Sequence, residues 1–511
     1  MKQEGSGGFA AGGVLAVMIA FSAFLAYINF TNGHNWGDDF AAYVMQAKGL
    51  ADGSPRAPVA ANSFTNQHSS RPLGPDAYPW GYPLLLAAAY RFYGLNLAAM
   101  KALNIPFFAV FLLASYLLFR PRLSRPVALL GVGLLAFNPT LLVFQDNVLS
   151  DVPFLAVATV VLLLIDAAVS RGRTLLSPVA DAAVIGLGAF VAVMIRTQGI
   201  VLLPSLLVAQ IVAHRRRGPH EPAAASSSWL VRSLPYAAFG ILYLLPGLFL
   251  PIGGAYRFSS MAGASLKTVT SSLLYYAALP ADAFEWTPCG PIIYGCTLPF
   301  CLAGLAARGR HDAALIAYGL CTLCLVVAWP DRQGLRFLFP LMPVYVYFAC
   351  HGVMTAGCFL ASASQARKKR LAHLCLAAMV LVFVAAAVEV GSRNIALGRK
   401  APGPFDAVSA DMFHAVTSQT EPDSVLVFFK PRAMTLLTGR RSIMIDDAAQ
   451  LDRGNYLVWH KSKTLTGYDQ LSPELLASFA AAGRLQSMYD NAGFTLYRLV
   501  AHPPAESTPR E

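Results

Sequence analysis

Long apolar runs fill the first 390 or so positions of the chain, separated by short polar stretches. They fall at about 9–30, 97–119, 127–145, 152–169, 179–195, 199–213, 231–251, 289–307, 311–329, 337–360 and 371–390. Most approach the roughly 20 residues that a helix needs to cross a ~30 Å hydrocarbon core. Their apolar residues go all the way round a helix rather than along one stripe, so they predict membrane spans. The pattern gives about 11 transmembrane helices. Asn138-Pro139 interrupts the third run and predicts a kink there.

Two regions depart from this pattern. The connection over 31–96 is too long for a simple loop. Its ends, Asp39–Leu50 and Tyr82–Tyr93, read as short amphipathic surface helices, and the Pro-, Gly-, Asn- and Ser-rich middle from Gly53 to Pro79 reads as irregular. A second external loop runs over about 252–288. From residue 400 the composition becomes that of a water-soluble domain. Ser424–Lys430, Arg441–Asp446, Asn455–His460 and Phe494–Val500 read as strands. Pro431–Leu437 and Pro473–Ala482 read as helices with proline in the first turn. The expected architecture is an all-α polytopic membrane domain over 1–395, a small C-terminal α/β domain over 400–500 and a disordered tail over 501–511.

Charge orients this architecture. Alternate loops carry Arg120, Arg122 and Arg125; Arg171 and Arg173; Arg215, Arg216 and Arg217; Arg308 and Arg310; and Arg367, Lys368, Lys369 and Arg370. Basic loops stay in the cytoplasm, which places the N-terminus inside and, with an odd number of spans, the C-terminal domain outside. Trp36, Trp80, Trp286 and Trp329 then fall at the outer boundary, as an aromatic belt would. Composition agrees: 13% of residues are charged and 56% hydrophobic, against roughly 25% charged in a typical soluble domain. The net charge of +12 is spread over short clusters between spans, which argues against a nucleic-acid partner. The first run reads as a retained span in a cytoplasmic (inner) membrane and not as a cleavable signal. Cys321 and Cys324 read as small residues of a membrane helix, and no zinc or disulfide framework is visible.

Scarce charge makes the remaining ionisable residues informative, and they gather at the outer ends of the spans. Asp38 and Asp39 follow the first span, Asp146 and Asp151 separate the third from the fourth, Arg196 ends the fifth, and Asp331, Arg332 and Arg336 lie between the ninth and tenth. A carboxylate can take the proton of an acceptor hydroxyl during glycosyl transfer. Arginine forks can hold a phosphate by charge-assisted hydrogen bonds. Together they suit a reaction that displaces a lipid phosphate from a sugar, with an apolar groove between helices for the lipid tail.

At these residues the chain resembles the GT-C glycosyltransferases. The resemblance is to the family 39 branch with protein O-mannosyltransferases, lipid A aminoarabinose transferases and lipopolysaccharide glycosyltransferases of the RgtA/B/C/D-like type. An acidic motif followed by tyrosine and alanine at helical spacing is matched by Asp38-Asp39, Tyr43 and Ala47. Asp151-Val152-Pro153-Phe154 matches an aspartate that opens the fourth span. Tyr78-Pro79-Trp80-Gly81-Tyr82-Pro83 matches an aromatic, proline-rich patch closing the first loop. Arg196-Thr197-Gln198-Gly199 and Arg336-Phe337-Leu338-Phe339-Pro340 match the arginine motifs, and the likeness covers most of 9–350.

The resemblance implies an inverting transferase that moves a sugar from a polyprenyl-phosphate donor to a glycan, lipid or protein acceptor on the outer face of the membrane. It favours Asp39, four residues before Tyr43, as the base, with Asp38 as the alternative base and Asp151 as a further catalytic acid. Where some relatives carry a lysine this chain has Tyr78, so phosphate binding passes to Arg71, Arg196 or Arg336, with Tyr43 and Tyr82 lining the site. No cofactor is certain, and a divalent cation held by Asp38, Asp39 and Asp151 is one option.

Simpler roles stand beside these. Asp38 also fits a helix N-cap, Asp39 a first-turn acid and Asp151 a helix start. Arg196 and Arg336 fit interfacial anchors. Asp146 and Asp331 read as solvated loop acids, and His351 as a polar residue packed between helices. A transporter or lipid flippase, or an inactive scaffold of the same fold, remains an alternative. The first would place ionisable residues at the midplane of the spans.

Overall fold

Nine helices of at least 18 residues are apolar enough to cross a membrane, from Ala10–Asn29 to Ala366–Ala396, and two shorter apolar helices, Arg125–Ala136 and Ala313–Ala328, complete the expected set among the described residues. The protein is therefore a multi-pass membrane protein. The structure is a computed structural model, and it describes residues 4–216, 228–251, 265–284, 290–309, 311–329, 331–356, 364–462 and 470–500. Arg217, Trp286, Arg310, much of the 252–288 loop and the tail over 501–511 lie outside the described residues. The chain divides into two units.

The first unit comprises Met1–Phe30, Ala98–Phe249 and Ala255–Arg399. Asn138-Pro139 breaks the third span outright: Arg125–Ala136 ends, Asn138 Oδ1 accepts the Leu141 N–H at 3.2 Å, and Pro139–Phe144 begins. Proline has no N–H to continue the first helix, and asparagine caps the second. Several loop arginines are more than topology signals. Arg122 Nη1 donates to Asp166 Oδ2 at 2.9 Å and its Nε to Asp312 Oδ1 at 2.6 Å. Arg308 Nε reaches Asp312 Oδ2 at 2.9 Å, as does the Tyr347 hydroxyl at 2.7 Å. Arg171 Nε stands 2.9 Å from Asp166 Oδ2. Both carboxylates have side chains only 1% exposed. This network ties the ends of several spans by paired charge, and the His351 ring lies 5.0 Å from that of Tyr347 beside it.

The second unit comprises Thr31–Leu97, Leu250–Gly254 and Lys400–Glu511. The first long connection thus clusters with the C-terminal region, whereas the sequence groups it with the membrane domain. The sheet has the order β2-β1-β3-β5-β4, with β1 (Val425–Val427) parallel to β2 (Arg441–Ile443) and β3 (Tyr456–His460). β5 (Phe494–Leu499) pairs antiparallel with β3 and with the edge strand β4 (Leu485–Asp490). Strand β4 and the helix Ala407–Gln419 are additions to the sequence reading.

The stretch expected to be irregular contains a helix, Arg56–His68. Its buried face is Pro58, Asn62 and Thr65, so no apolar stripe marks it. Hydrogen bonds hold it instead: Thr65 Oγ1 donates to the Ser442 carbonyl at 2.8 Å and Asn62 Nδ2 to the Asp76 carbonyl at 3.1 Å. Of the tryptophans expected at the outer boundary, Trp36 is found in an aromatic cluster of the second unit. Trp36 packs among Phe413, Phe428, Phe429 and Phe494, with ring centroids 5.1–6.2 Å away. Trp80 and Trp329 are buried as well, Trp80 donating to the Pro251 carbonyl at 2.9 Å.

Candidate functional site

Two polar clusters contain the residues singled out by sequence, one in each unit. In the second unit Asp38 and Asp39 begin the helix Asp38–Ala51, where carboxylates face the positive end of the helix dipole. Gly37 occupies the N-cap position and Asp38 makes no cap of its own helix. The carboxylates instead turn to different partners. The Tyr78 hydroxyl donates to Asp39 Oδ1 at 2.5 Å. Asp38 Oδ1 accepts the backbone N–H of Arg432 at 3.1 Å, and Asp38 Oδ2 lies 4.0 Å from Lys430 Nζ.

Local structure explains how Tyr78 arrives there. Gln46, fully buried on the same helix as the two acids, clamps the Tyr78 backbone at both its N–H and its carbonyl. Its Oε1 accepts the Tyr78 N–H at 2.9 Å and its Nε2 donates to the Tyr78 carbonyl at 3.0 Å. Tyr43, one helical turn from Asp39, packs its ring 4.6 Å from that of Tyr78 and 5.0 Å from that of Tyr82. The tyrosines make an aromatic wall beside the acids. Burial pushes the Asp38 carboxyl above its usual range, although Lys430 and Arg432 pull it back. Burial, and then the charge of Asp39, push the Tyr78 hydroxyl up, so it stays protonated and able to donate.

Lys430 and Arg432 escape the sequence reading. They flank Pro431 at the start of the helix Pro431–Thr438, where basic residues oppose the helix dipole. That mismatch is the signal that would have found them, because it calls for an anionic partner. Arg432 is 1% exposed. Its Nη2 donates to the Pro75 carbonyl at 2.9 Å, its Nη1 lies 3.5 Å from the Tyr78 hydroxyl, and its guanidinium carbon sits 5.8 Å from the Tyr78 ring centre. Arg71, also in this unit, is 60% exposed, and its Nε stands 3.8 Å from Asp446 Oδ2.

In the first unit Asp151, Arg196 and Arg336 converge. Asp151 opens the helix Asp151–Ile165, and Arg196 closes Pro178–Ile195. Arg196 Nη1 lies 2.7 Å from Asp151 Oδ1, with side chains 12% and 3% exposed. Arg196 Nε also donates to Gln198 Oε1 at 3.0 Å. Its guanidinium carbon sits 5.1 Å from the centre of the Phe337 ring, and that of Arg336 sits 6.0 Å from the same ring. Gln333 accepts a hydrogen bond from Arg336. Beside this pair, Leu335 and Leu338 line an apolar cavity of about 330 Å³, together with Leu134, Leu298, Tyr345 and Phe383.

Asp146 is not a solvated loop acid. Its Oδ1 lies 2.6 Å from Lys101 Nζ, whose side chain is fully buried. A lone lysine near the start of a span requires such a counter-charge, and that requirement was readable in the sequence. Asp331 is exposed, as expected. Among the described residues no group of three His, Cys, Asp or Glu side chains stands where it could hold a metal ion. Asp38 and Asp151 are already turned to Lys430 and Arg196, so this donor set does not fit a divalent cation.

No protein-family model matches the chain, and no curated protein matches it by sequence. Solved structures do match its fold. ArnT from Cupriavidus metallidurans in the apo state superposes with a TM-score of 0.58 at 12% identity, covering 97% of this chain and 100% of that one. The same protein bound to undecaprenyl phosphate gives 0.56 at 11%, covering 96% and 98%. The apo oligosaccharyltransferase of Archaeoglobus fulgidus gives 0.55 at 12%, covering 88% of this chain and 69% of that one. These neighbours are GT-C glycosyltransferases, and identity this low speaks for architecture alone. The chain has the GT-C glycosyltransferase fold.

Proposed function

We propose that the protein is an integral-membrane glycosyltransferase that moves a sugar from a polyprenyl-phosphate carrier to a lipid, lipopolysaccharide, cell-wall glycan or protein acceptor. The observation that carries this reading is that Arg196 and Arg336 both lie within 6.0 Å of the Phe337 ring centre, while the chain neighbours Leu335 and Leu338 line an apolar cavity. Such an arrangement suits an amphiphile with an anionic head and an apolar tail. The fold neighbour crystallised with undecaprenyl phosphate supports the same class of ligand.

In the reaction, the acceptor hydroxyl attacks the anomeric carbon as the bond from that carbon to the phosphate oxygen breaks. Asp39 is the residue proposed to take the hydroxyl proton, and the departing polyprenyl phosphate keeps the bonding electrons as an anion. A single displacement inverts the anomeric centre. Tyr78 orients the base, whereas Tyr43 and Tyr82, 5% and 0% exposed and packed on one another, back that tyrosine and offer no open face to a sugar, contrary to the role the sequence suggested for them. The basic loops support a reaction on the outer face of a cytoplasmic membrane, the side proposed for the C-terminal domain. A transport reading gains less support, since Arg122, Asp166 and Asp312 lie at span ends and not in their middles.

The test is transfer by the purified protein in a lipid bilayer, supplied with polyprenyl-phosphate sugars, with the product anomer read by NMR. It is paired with mass spectrometry of glycolipids and glycoproteins in a deletion strain. An inverted product and a missing glycan are expected. Absence of transfer together with an unchanged glycan profile would sink the reading.

A further inference from the structure

A fully buried arginine is costly unless its donors are used and its charge is answered. Arg432 meets part of that demand: Nη2 donates to the Pro75 carbonyl and Nη1 faces the Tyr78 hydroxyl, while Nε has no hydrogen-bond partner among the described residues. Its backbone N–H engages Asp38 at 3.1 Å, and its guanidinium lies against Tyr78, 3.5 Å from the hydroxyl that donates to Asp39 at 2.5 Å. We infer that Arg432 is a positioning residue for the Asp39 base, supplied by the C-terminal segment and acting through Tyr78.

The polarity of the contacts carries the argument. Arginine has donors only. A guanidinium N–H aimed at the Tyr78 oxygen leaves the tyrosine proton to point at Asp39. Asp39 is then held as an acceptor, the state in which a carboxylate can take a proton. The Pro75 carbonyl fixes the other arm of the fork at 2.9 Å, and the clamp from Gln46 fixes the backbone of Tyr78. Asp38 is committed to the start of the 431–438 helix and to Lys430, which separates the roles of the two adjacent acids. Among the charged and titratable groups around the acid pair, Tyr78 touches Asp39 directly, Tyr43 and Arg432 lie against Tyr78, and Lys430 and the Arg432 backbone meet Asp38.

This inference rests on the reading of Asp39 as the base, and one set of variants separates the two. Transfer by Asp39→Asn, Arg432→Gln, Arg432→Lys and Tyr78→Phe is followed against pH in bilayer-reconstituted protein. Arg432→Gln is expected to lower kcat about tenfold, the worth of one hydrogen bond to a charged group, and to move the acid limb of kcat to higher pH. KM for the lipid-linked donor should stay within about twofold. Arg432→Lys, which keeps the charge, should recover the acid limb, and Tyr78→Phe should shift it in the same direction as Arg432→Gln. If Arg432→Gln does not fold, Tyr78→Phe and Arg432→Lys decide: an acid limb unmoved in Tyr78→Phe overturns the inference. An inactive Asp39→Asn beside a wild-type kcat and pH profile in Arg432→Gln also overturns it and spares the base. A fully active Asp39→Asn removes the base itself.

Discussion

Tyr78 donates its hydroxyl hydrogen to Asp39 Oδ1 at 2.5 Å, while the adjacent Asp38 turns to the backbone of Arg432. Two neighbouring carboxylates on one helical turn therefore have different partners. Removing only the hydroxyl, by Tyr78→Phe, keeps the ring stack on Tyr43 and removes the donor. Transfer should fall about tenfold, and the acid limb of the rate profile should rise in pH, because a hydrogen bond to the charged form favours that form. An unchanged profile would mean that Tyr78 is only packing.

Asp38 gives the stability of the second unit a pH dependence. Its carboxyl is held above the usual range by burial. A raised acid in the folded state contributes stability that is present below the unfolded value, about 4, and that is lost as pH climbs through the folded value. Thermal unfolding of the wild type should therefore show a loss over that interval that Asp38→Asn lacks. Equal slopes in the two proteins would contradict this.

The Arg122 network predicts where the first unit breaks. Asp166 and Asp312 answer Arg122, Arg171 and Arg308 with side chains 1% exposed. Asp312→Ala takes from Arg308 its carboxylate partner and from the buried Arg122 one of its two, and should cost about 3 kcal/mol. Tyr347→Phe removes one hydrogen bond to the same carboxylate and should cost about 1–3 kcal/mol. Unfolding midpoints in detergent rank the two, and a Tyr347→Phe more damaging than Asp312→Ala would refute the assignment.

Arg336 should act on the donor and not on the fold. It is half-buried at Phe337, and Arg336→Ala should raise KM for the lipid-linked sugar about tenfold with little change in melting temperature. Arg196→Ala is a poorer probe because it also strands Asp151. Titration with a polyprenyl phosphate separates binding from turnover, and unchanged binding in Arg336→Ala would remove it from the phosphate site.

Particular residues show how far the sequence could be read. The spans were legible because hydrocarbon leaves a long, uniform signature, and even the break at Asn138-Pro139 follows from the missing proline donor. Asp151, Arg196 and Arg336 were legible as motif residues, and their convergence beside Phe337 agrees with that order along the chain. The Arg56–His68 helix was hidden because Asn62 and Thr65 bury polar groups where an apolar stripe was sought. The aromatic cluster around Trp36 was hidden because an indole suits a domain core as well as a membrane boundary. Lys430 and Arg432 lie nearly 400 residues from the acids they serve, and only the fold brings them together.

The central claim is that Asp39 takes the acceptor proton and Asp38 does not. The most direct measurement compares Asp39→Asn with Asp38→Asn in transfer from a polyprenyl-phosphate sugar, with folding confirmed for both. Asp39→Asn should lose about 10²–10⁴-fold in kcat, the usual worth of general base catalysis, and Asp38→Asn should keep most of it. Wild-type turnover in Asp39→Asn, or the larger loss falling on Asp38→Asn, would contradict the account.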